Sequence, residues 1–382
     1  MSYHQKNNLL SFRIQTNTLP LENERANLGA WKKTRSLSSA PAATEETLNS
    51  IPRQITFGSN VWGNRQSAAY RAVFEPPSNK AKNLSPTQQN DFLHLEKINN
   101  PNNSCIRSSS GRTSGVFLIT DPSSGTTLAA LKPVKKEEIF ANKFFDLLEM
   151  PIPKFDIHGK NKLSKTINDT VMKSFEGKAI HCEYQNIMVM EHIKGRPLSE
   201  HNPHEIKKCF LNEANMELVG RSMALDMFIG NADRIISFSA PVCNPDNIMV
   251  RNNSVVFIDQ VFRERGSQLG KFFDSLMQSV KPGQDEDNNV YKKYMQPLVV
   301  KSLDNYAKKN EGTNKDDMLD KFNSSISHTE QSKINENIVL GIRNALQLLV
   351  DKKKEVLDLD PSRHNQINEI YRFLEKNLDG LE

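Results

Sequence analysis

Five polar residues stand beside apolar segments where chemistry can be done: Lys132, Glu138, Asp233, Asn247 and Asp259. Asp233 lies in GNADR, Asn247 in NPDNIMV, and Asp259 directly after VVFI. A charge next to a buried segment is costly unless something pairs with it, so these positions call for a polar network, a bound metal or a reaction. Their types and order are those that phosphoryl transfer needs. A strand lysine holds phosphates and a glutamate on the next helix holds that lysine. An aspartate orients the attacking hydroxyl, and an asparagine and a second aspartate hold Mg²⁺ through hard oxygen ligands. Such catalysis is mostly positioning and electrostatics, so few parts suffice.

Taken one at a time, each residue also has an ordinary reading. A strand lysine is commonly solvated or an edge guard. Acids in a first helical turn commonly only complement the helix dipole, and the sequence leaves open whether Glu137 or Glu138 faces Lys132. Asp233 alone is a turn aspartate paired with Arg234, and Asn247 alone is the last residue of an NPDN turn. Asp259 is the sharpest, because turn chemistry does not explain an aspartate abutting a β-branched and aromatic strand, whereas Mg²⁺ at a strand end does. Fourteen positions separate Asp233 from Asn247, with ISFSAPVCNP between them, so Asn244 and Asp246 stand as alternatives to Asn247. The small-residue loop Ser108–Gly115 supplies Ser110, Gly111 and Gly115 as candidates to cover phosphates, although it lacks the full GxGxxG spacing.

The elements that must position these residues follow from the pattern. Val116–Ile119 and LAALKP, joined by the DPSSGTT turn, read as a hairpin whose second strand ends in Lys132. KKEEIFANKFFDLLEM puts Ile139, Phe140, Phe144, Leu147 and Leu148 on one helical face, and MPIPKF ends that helix. Residues 186–190, NIMVM, read as a strand followed by EHIKGRPL. Leu211, Met216, Val219, Met223, Met227 and Phe228 mark a long helix, and Ile248–Val250 and Val255–Ile258 mark two strands joined by an RNNS turn. Residues 290–382 read as helical, with a stripe of Ile334, Ile338, Ile342, Leu346 and Leu349. The expected fold class is α+β, with a small β-rich N-lobe and a mainly helical C-lobe. The expected organisation is a largely disordered or loosely packed region over 1–90, an N-lobe and hinge over 91–198, a C-lobe over 199–330 and a C-terminal helical extension over 331–382. TRSLSSAPAATEETLNS reads as a linker within the first region, and VWGNRQSAAYRAVF as a denser piece of it.

Composition narrows the function class. The chain has 382 residues, 37% hydrophobic and 25% charged, with 50 basic against 45 acidic residues and a net charge of +5. That excess is a weak pointer to anionic partners. No basic stripe interleaved with aromatics is present, so a nucleic-acid partner is not expected. Cys105, Cys182, Cys209 and Cys243 are scattered without a CxxC pair, so neither zinc nor a disulfide framework is expected. MSYHQKNNLLSFRIQ lacks the pattern of a secretory signal, and no apolar run is long enough for a membrane span. The expectation is a cytoplasmic protein without a transmembrane segment. The Asn- and Lys-rich composition would also suit a bacterial protein delivered into host cells, which would place it in the host cytosol.

GNADR, NPDNIMV and FIDQ together resemble the catalytic core of atypical kinases, the actin-fragmin kinase catalytic domain and the phosphatidylinositol 3-/4-kinase-like enzymes. LKPVKKEEIFANKFFDLLEMPIP resembles the lysine strand and following helix of that group, and MVMEHIKGRPL the strand and hinge that meet adenine. The likeness covers roughly residues 105–265 and is closer to the actin-fragmin type, through the insert between the loop motifs and the IDQ ending. The resemblance implies a two-lobed protein-kinase-like fold using ATP and Mg²⁺. Lys132 would contact the ATP phosphates, paired with Glu138. Glu191 and Ile193 would flank the adenine hinge, Asp233 would be the catalytic aspartate, and Asn247 and Asp259 would bind Mg²⁺. GNADR stands where ordinary protein kinases carry HRD and IDQ where they carry DFG, and there is no APE-like end, so control by activation-loop phosphorylation is not expected. The implied activity is a protein Ser/Thr kinase, with actin or another cytoskeletal protein as the first substrate to try. The alternatives are a phosphoinositide lipid kinase with an anionic lipid partner, and a nucleotide-binding pseudokinase scaffold.

Overall fold

Short apolar runs bounded by turn residues build the first half of the fold. A computed structural model describes residues 95–108, 115–173, 186–235, 243–263, 268–280 and 289–378. Ser110, Gly111, the segments expected to be loose over 1–90 and most of the ISFSAPVCNP insert lie outside these residues. After a single helical turn, α1 (Leu95–Ile98), come β1 (Ser104–Arg107), β2 (Phe117–Asp121) and β3 (Thr126–Val134). The DPSSGTT turn works as its composition suggests. The Asp121 carboxylate accepts from the Ser123 amide at 2.9 Å and from the Ser123 and Ser124 hydroxyls at 2.7 and 2.9 Å, and Gly125 takes a φ of +66°. Helix α2 (Lys136–Leu147) follows, then β4 (Phe155–Gly159), α3 (Lys165–Lys173) and β5 (Asn186–Met190). The five strands pair antiparallel in the order β1-β2-β3-β5-β4, and the register sets Lys132 opposite Met188.

One cluster packs Phe117, Ile119, Ala129, Leu131, Ile187 and Val189 from this sheet against Ile98, Leu163, Ile167 and Val171. Helix α2 turns Phe140, Ala141, Phe144, Phe145 and Leu148 into a second and larger cluster, shared with the helices that follow. Two local expectations change. Val116–Ile119 is not the first strand, because β1 precedes it and the Ser108–Gly115 loop joins the two. Lys132 does not end its strand, since Pro133 and Val134 continue it. Strand β1 is four residues of half-exposed or exposed chain, so no alternation announces it. Strand β4 is half-buried at every position and is equally silent.

The remainder is mainly helical: a short β6 (Arg196–Pro197), α4 (Pro203–Phe210), α5 (Glu213–Ile229), the hairpin β7 (Ile248–Arg251) and β8 (Ser254–Phe257), and α6 (Gln268–Ser279). A π-helical turn, Tyr291–Met295, then leads into α7 (Gln296–Lys309), α8 (Lys315–Ser325), α9 (His328–Asp351), α10 (Lys353–Asp358) and α11 (His364–Leu378). Side-chain oxygens of Asn202, Asn212, Asn314 and Ser327 cap α4, α5, α8 and α9. Asn252 and Asn253 both take positive φ, 50° and 63°, as the tightest hairpin turns require, and pair β7 with β8. Helix α5 is buried at 14 of its 17 positions, the mark of a central helix rather than a surface one. Helix α9 lies along it. At Gly220 a Cβ would fall on the Ile338 carbonyl, and at Gly341 on the Glu217 carbonyl, so the absence of side chains brings the two backbones together. The expected boundary at residue 330 therefore falls inside α9, whose stripe of Ile334, Ile338, Ile342, Leu346 and Leu349 belongs to the larger cluster. No helix among the described residues is long and apolar enough to cross a membrane.

Candidate active site

Strand β3 carries Lys132 to a point where two carboxylates from distant parts of the chain meet it. Its Nζ lies 2.6 Å from Glu138 Oε1 and also pairs with Asp259 Oδ1. Glu138, not Glu137, is the helix partner. Its other oxygen accepts from the Lys135 amide at 3.1 Å, so one carboxylate both caps α2 and holds the lysine. Glu137 turns away and meets Arg363 Nη2 at 2.8 Å. Burial alone would favour a neutral amine at Lys132, but the charges of Asp259 and Glu138 outweigh it and hold the ammonium well above the usual lysine range. Asp259 keeps 47% of its side-chain surface open although protein crowds around it, which makes it a surface charge rather than a core one. Burial works against its ionisation, yet Lys132, Arg234 and Arg263 hold its carboxyl below the usual aspartate range.

Asp259 reaches this position through an unusual backbone. Its φ is +62°, a left-handed conformation seldom taken by residues other than glycine, asparagine and aspartate. The residues on either side are fixed. The Ile258 amide donates to the Asn247 carbonyl at 3.1 Å, the Ile258 carbonyl accepts from Arg234 Nη2 at 3.0 Å, and Gln260 Nε2 donates back to the Phe257 carbonyl at 2.8 Å. The strand therefore ends at Phe257, and Asp259 sits on a short pinned turn beyond it.

Asp233 follows the end of α5, where Gly230 takes a φ of +82° and stops the helix. An Asp233–Arg234 pair, the ordinary reading of GNADR, is not what forms. Arg234 instead grips Asp226, with Nη1 at 2.9 and 2.8 Å from its two oxygens, and both side chains are fully buried. Asn231 adds a bond to the same carboxylate at 2.9 Å, and the rings of Phe145 and Phe257 lie 5.3 and 5.1 Å from the guanidinium carbon. Asp226 belongs to no motif that the sequence displays. The available signal was its position as the one acid in LVGRSMALDMFIG, where a buried arginine partner is the natural explanation.

Asn247 Nδ2 donates to the Asp233 carbonyl at 2.8 Å across the insert. Burial and then the neighbouring Asp259 charge push the Asp233 carboxyl above the usual aspartate range, while Arg263 and the amides of Asn244 and Asn247 pull the other way. Asp233, Asn247 and Asp259 are thus neighbours. Of the alternatives to Asn247, Asp246 is engaged elsewhere, accepting from the buried Ser199 hydroxyl, and Asn244 accepts from the Asp246 amide while also meeting Asp233. Two carboxylates, Glu138 and Asp259, therefore meet at Lys132, and Asp233 stands next to the second of them, with Arg263 as a further cation acting on both aspartates. A surplus of oxygen donors of this kind suits a hard divalent cation. Among the described residues no group of three or more His, Cys, Asp and Glu has metal-binding geometry, so any such cation would rely on the asparagine amide and on its other ligand.

The Glu191–Gly195 strap links β5 to β6. The Glu191 amide donates to the Lys154 carbonyl at 2.8 Å and its carboxylate takes Arg251 Nη1 at 2.7 Å. Ile193 is buried and its carbonyl accepts from the Gly195 amide at 2.9 Å. A Cβ on Gly195 would lie 2.5 Å from the Val250 carbonyl, so glycine is what lets the strap close on β7. Gly115, with a φ of +81°, is buried at the end of the β1–β2 loop beside Arg107, and Ser108 donates to the Val116 carbonyl at 2.7 Å to close that loop at its base.

No family model matches the chain, and no curated protein does.

Proposed function

We propose that the chain is an ATP- and Mg²⁺-dependent phosphotransferase acting on a protein hydroxyl, with the antiparallel sheet and the helical remainder serving as the small and large lobes of a kinase-like fold. The observation that carries the reading is the lysine held between Glu138 and Asp259, with Asp233 and Asn247 next to Asp259, gathered from β3, α2 and two loops over 127 positions of chain. Bound ATP supplies the transferable phosphoryl group, and a bound Mg²⁺ neutralises the charge of its phosphates. In this reading Lys132 meets the phosphates and Glu138 keeps the ammonium aimed. Asn247 and Asp259 hold the metal. The raised Asp233 accepts or orients the proton of the substrate hydroxyl, which is the task for which a carboxylate shifted toward neutrality is suited. The strap around Glu191 and Ile193 borders the adenine, and Gly115 ends the loop over the phosphates.

The test is transfer of label from radioactive ATP with Mg²⁺ in eukaryotic lysate, comparing wild type with Asp259→Ala and reading protein and extracted lipid apart. Labelled protein that disappears in the variant is the expected result, and a band at the position of actin would name the first substrate. Label confined to lipid would replace the protein-kinase reading with a phosphoinositide kinase. Nucleotide binding with no transfer to either fraction would leave a scaffold.

A further inference from the structure

Arg363 lies 226 positions from Glu137, yet it touches both sequences that hold Lys132. It stands at the end of a short turn, Pro361–Arg363, between α10 and α11. Its Nη2 meets Glu137 Oε1 at 2.8 Å, next to Glu138 on the first turn of α2. Its guanidinium carbon lies 4.9 Å from the centre of the Phe262 ring, three residues beyond Asp259. The two contacted segments are themselves tied, because the Phe262 amide donates to the Glu137 carbonyl at 3.2 Å and the Phe262 ring packs edge-on against Phe140 at 5.1 Å. The arginine is preset for this task. Asp360 holds its Nε at 3.0 Å while accepting from the Ser362 amide and hydroxyl, and only 12% of the Arg363 side chain is exposed. Helix α10 packs against α2, and Tyr371 of α11 packs on Phe228 and donates to the Leu349 carbonyl at 2.9 Å, so the turn is anchored on both sides. A planar fork that is at once bidentate in its partners and stacked on a ring is a task for arginine rather than lysine.

We infer that Arg363 is a positioning residue: it clamps the start of α2 to the segment after Asp259 and so keeps Glu138 and Asp259 together on Lys132. The catalytic consequence rests on the phosphotransferase reading, but the clamp itself is measurable without it. The C-terminal segment is then a built-in brace for the helix that carries Glu138.

The experiment measures acetylation of Lys132 by N-hydroxysuccinimide acetate in the full chain, by mass spectrometry, relative to the exposed Lys333. Arg363→Gln and Glu137→Gln are each expected to raise the relative rate roughly tenfold, the loss of one charge-assisted contact. The double variant should be no faster than either single one, and Arg363→Lys should fall between wild type and Arg363→Gln. Under the kinase reading, kcat should fall in Arg363→Gln by more than KM for ATP rises. An unchanged Lys132 rate in Arg363→Gln, or additive effects in the double variant, would overturn the inference. Should Arg363→Gln unfold, Glu137→Gln alone carries the test, because that side chain is 41% exposed. Faster acetylation in a protein whose wild type transfers no phosphate would support the clamp and reject the phosphotransferase reading.

Discussion

Arg234 donates from Nη2 to the carbonyl of Ile258 at 3.0 Å while its Nη1 holds both oxygens of Asp226. One buried guanidinium thus fastens the end of α5 to the residue before Asp259. The aspartate that faces Lys132 is positioned from behind by an ion pair that solvent never reaches.

The first expected outcome concerns that pair. Asp226→Asn takes from the buried Arg234 the carboxylate it is paired with, and breaking one side of a buried pair costs about 3–5 kcal/mol. Urea denaturation should register the loss as a lower midpoint with an unchanged slope. A variant within a few tenths of a kcal/mol of wild type would mean that Arg234 finds another partner.

Under the phosphotransferase reading, Asp233→Asn should lower kcat roughly 10²–10⁴-fold, the usual worth of a positioned general base. Mg-ATP affinity, read by calorimetry, should stay within a few-fold of wild type, because Asp233 is assigned to the hydroxyl and not to the nucleotide. Lys132→Met should instead weaken nucleotide binding. Equal loss of binding in both variants would undo the division of roles.

The pH dependence has opposite signs at the two aspartates. Asp233 is raised in the folded chain, so its contribution to stability is complete below the unfolded value of about 3.9 and is lost as pH climbs through the raised value. Asp259 is lowered, so its contribution is present above the unfolded value and is lost as pH falls through the lowered one. Asp233→Asn should therefore be more stable than wild type near neutrality, with the gap closing as the solution is acidified. Asp259→Asn should be less stable near neutrality, and that deficit should also shrink in acid. Denaturation curves at several pH values check both; gaps that do not move with pH would contradict the assigned charges.

Gly220→Ala tests the approach of α5 and α9. The added methyl would meet the Ile338 carbonyl, and overpacking of this kind costs about 1–3 kcal/mol. The matching change Gly341→Ala, against the Glu217 carbonyl, should behave alike in a thermal melt. Ala at Gly125, where nothing lies within 4 Å, would be strained only through its φ of +66° and serves as the comparison. Melts of Gly220→Ala and Gly341→Ala indistinguishable from wild type would show that the two helices can separate at no cost.

The sequence alone carried the local chemistry. Apolar runs announced β2, β3, β5, β7 and β8, and the spacing of Phe140 and Phe144 and of Ile334 through Leu349 announced α2 and α9. These patterns are legible because strand and helix periods are properties of neighbours in the chain. The order Lys132, Glu138, Asp233, Asn247, Asp259 was legible for the same reason, as each residue sits at the edge of such an element.

What only the tertiary structure decided are the partnerships. Glu137 and Glu138 are adjacent and chemically alike, and their division between Arg363 and Lys132 depends on which face of α2 meets which neighbour. Arg234 follows Asp233 in sequence but pairs with Asp226, because a guanidinium buried between Phe145 and Phe257 must find its counter-charge within reach inside the core. The half-buried β4 and the exposed β1 have no periodic signature, and they are strands because the sheet beside them offers hydrogen bonds. Ion pairs over 127 and 226 positions are set by packing, and no local rule in the sequence contains them.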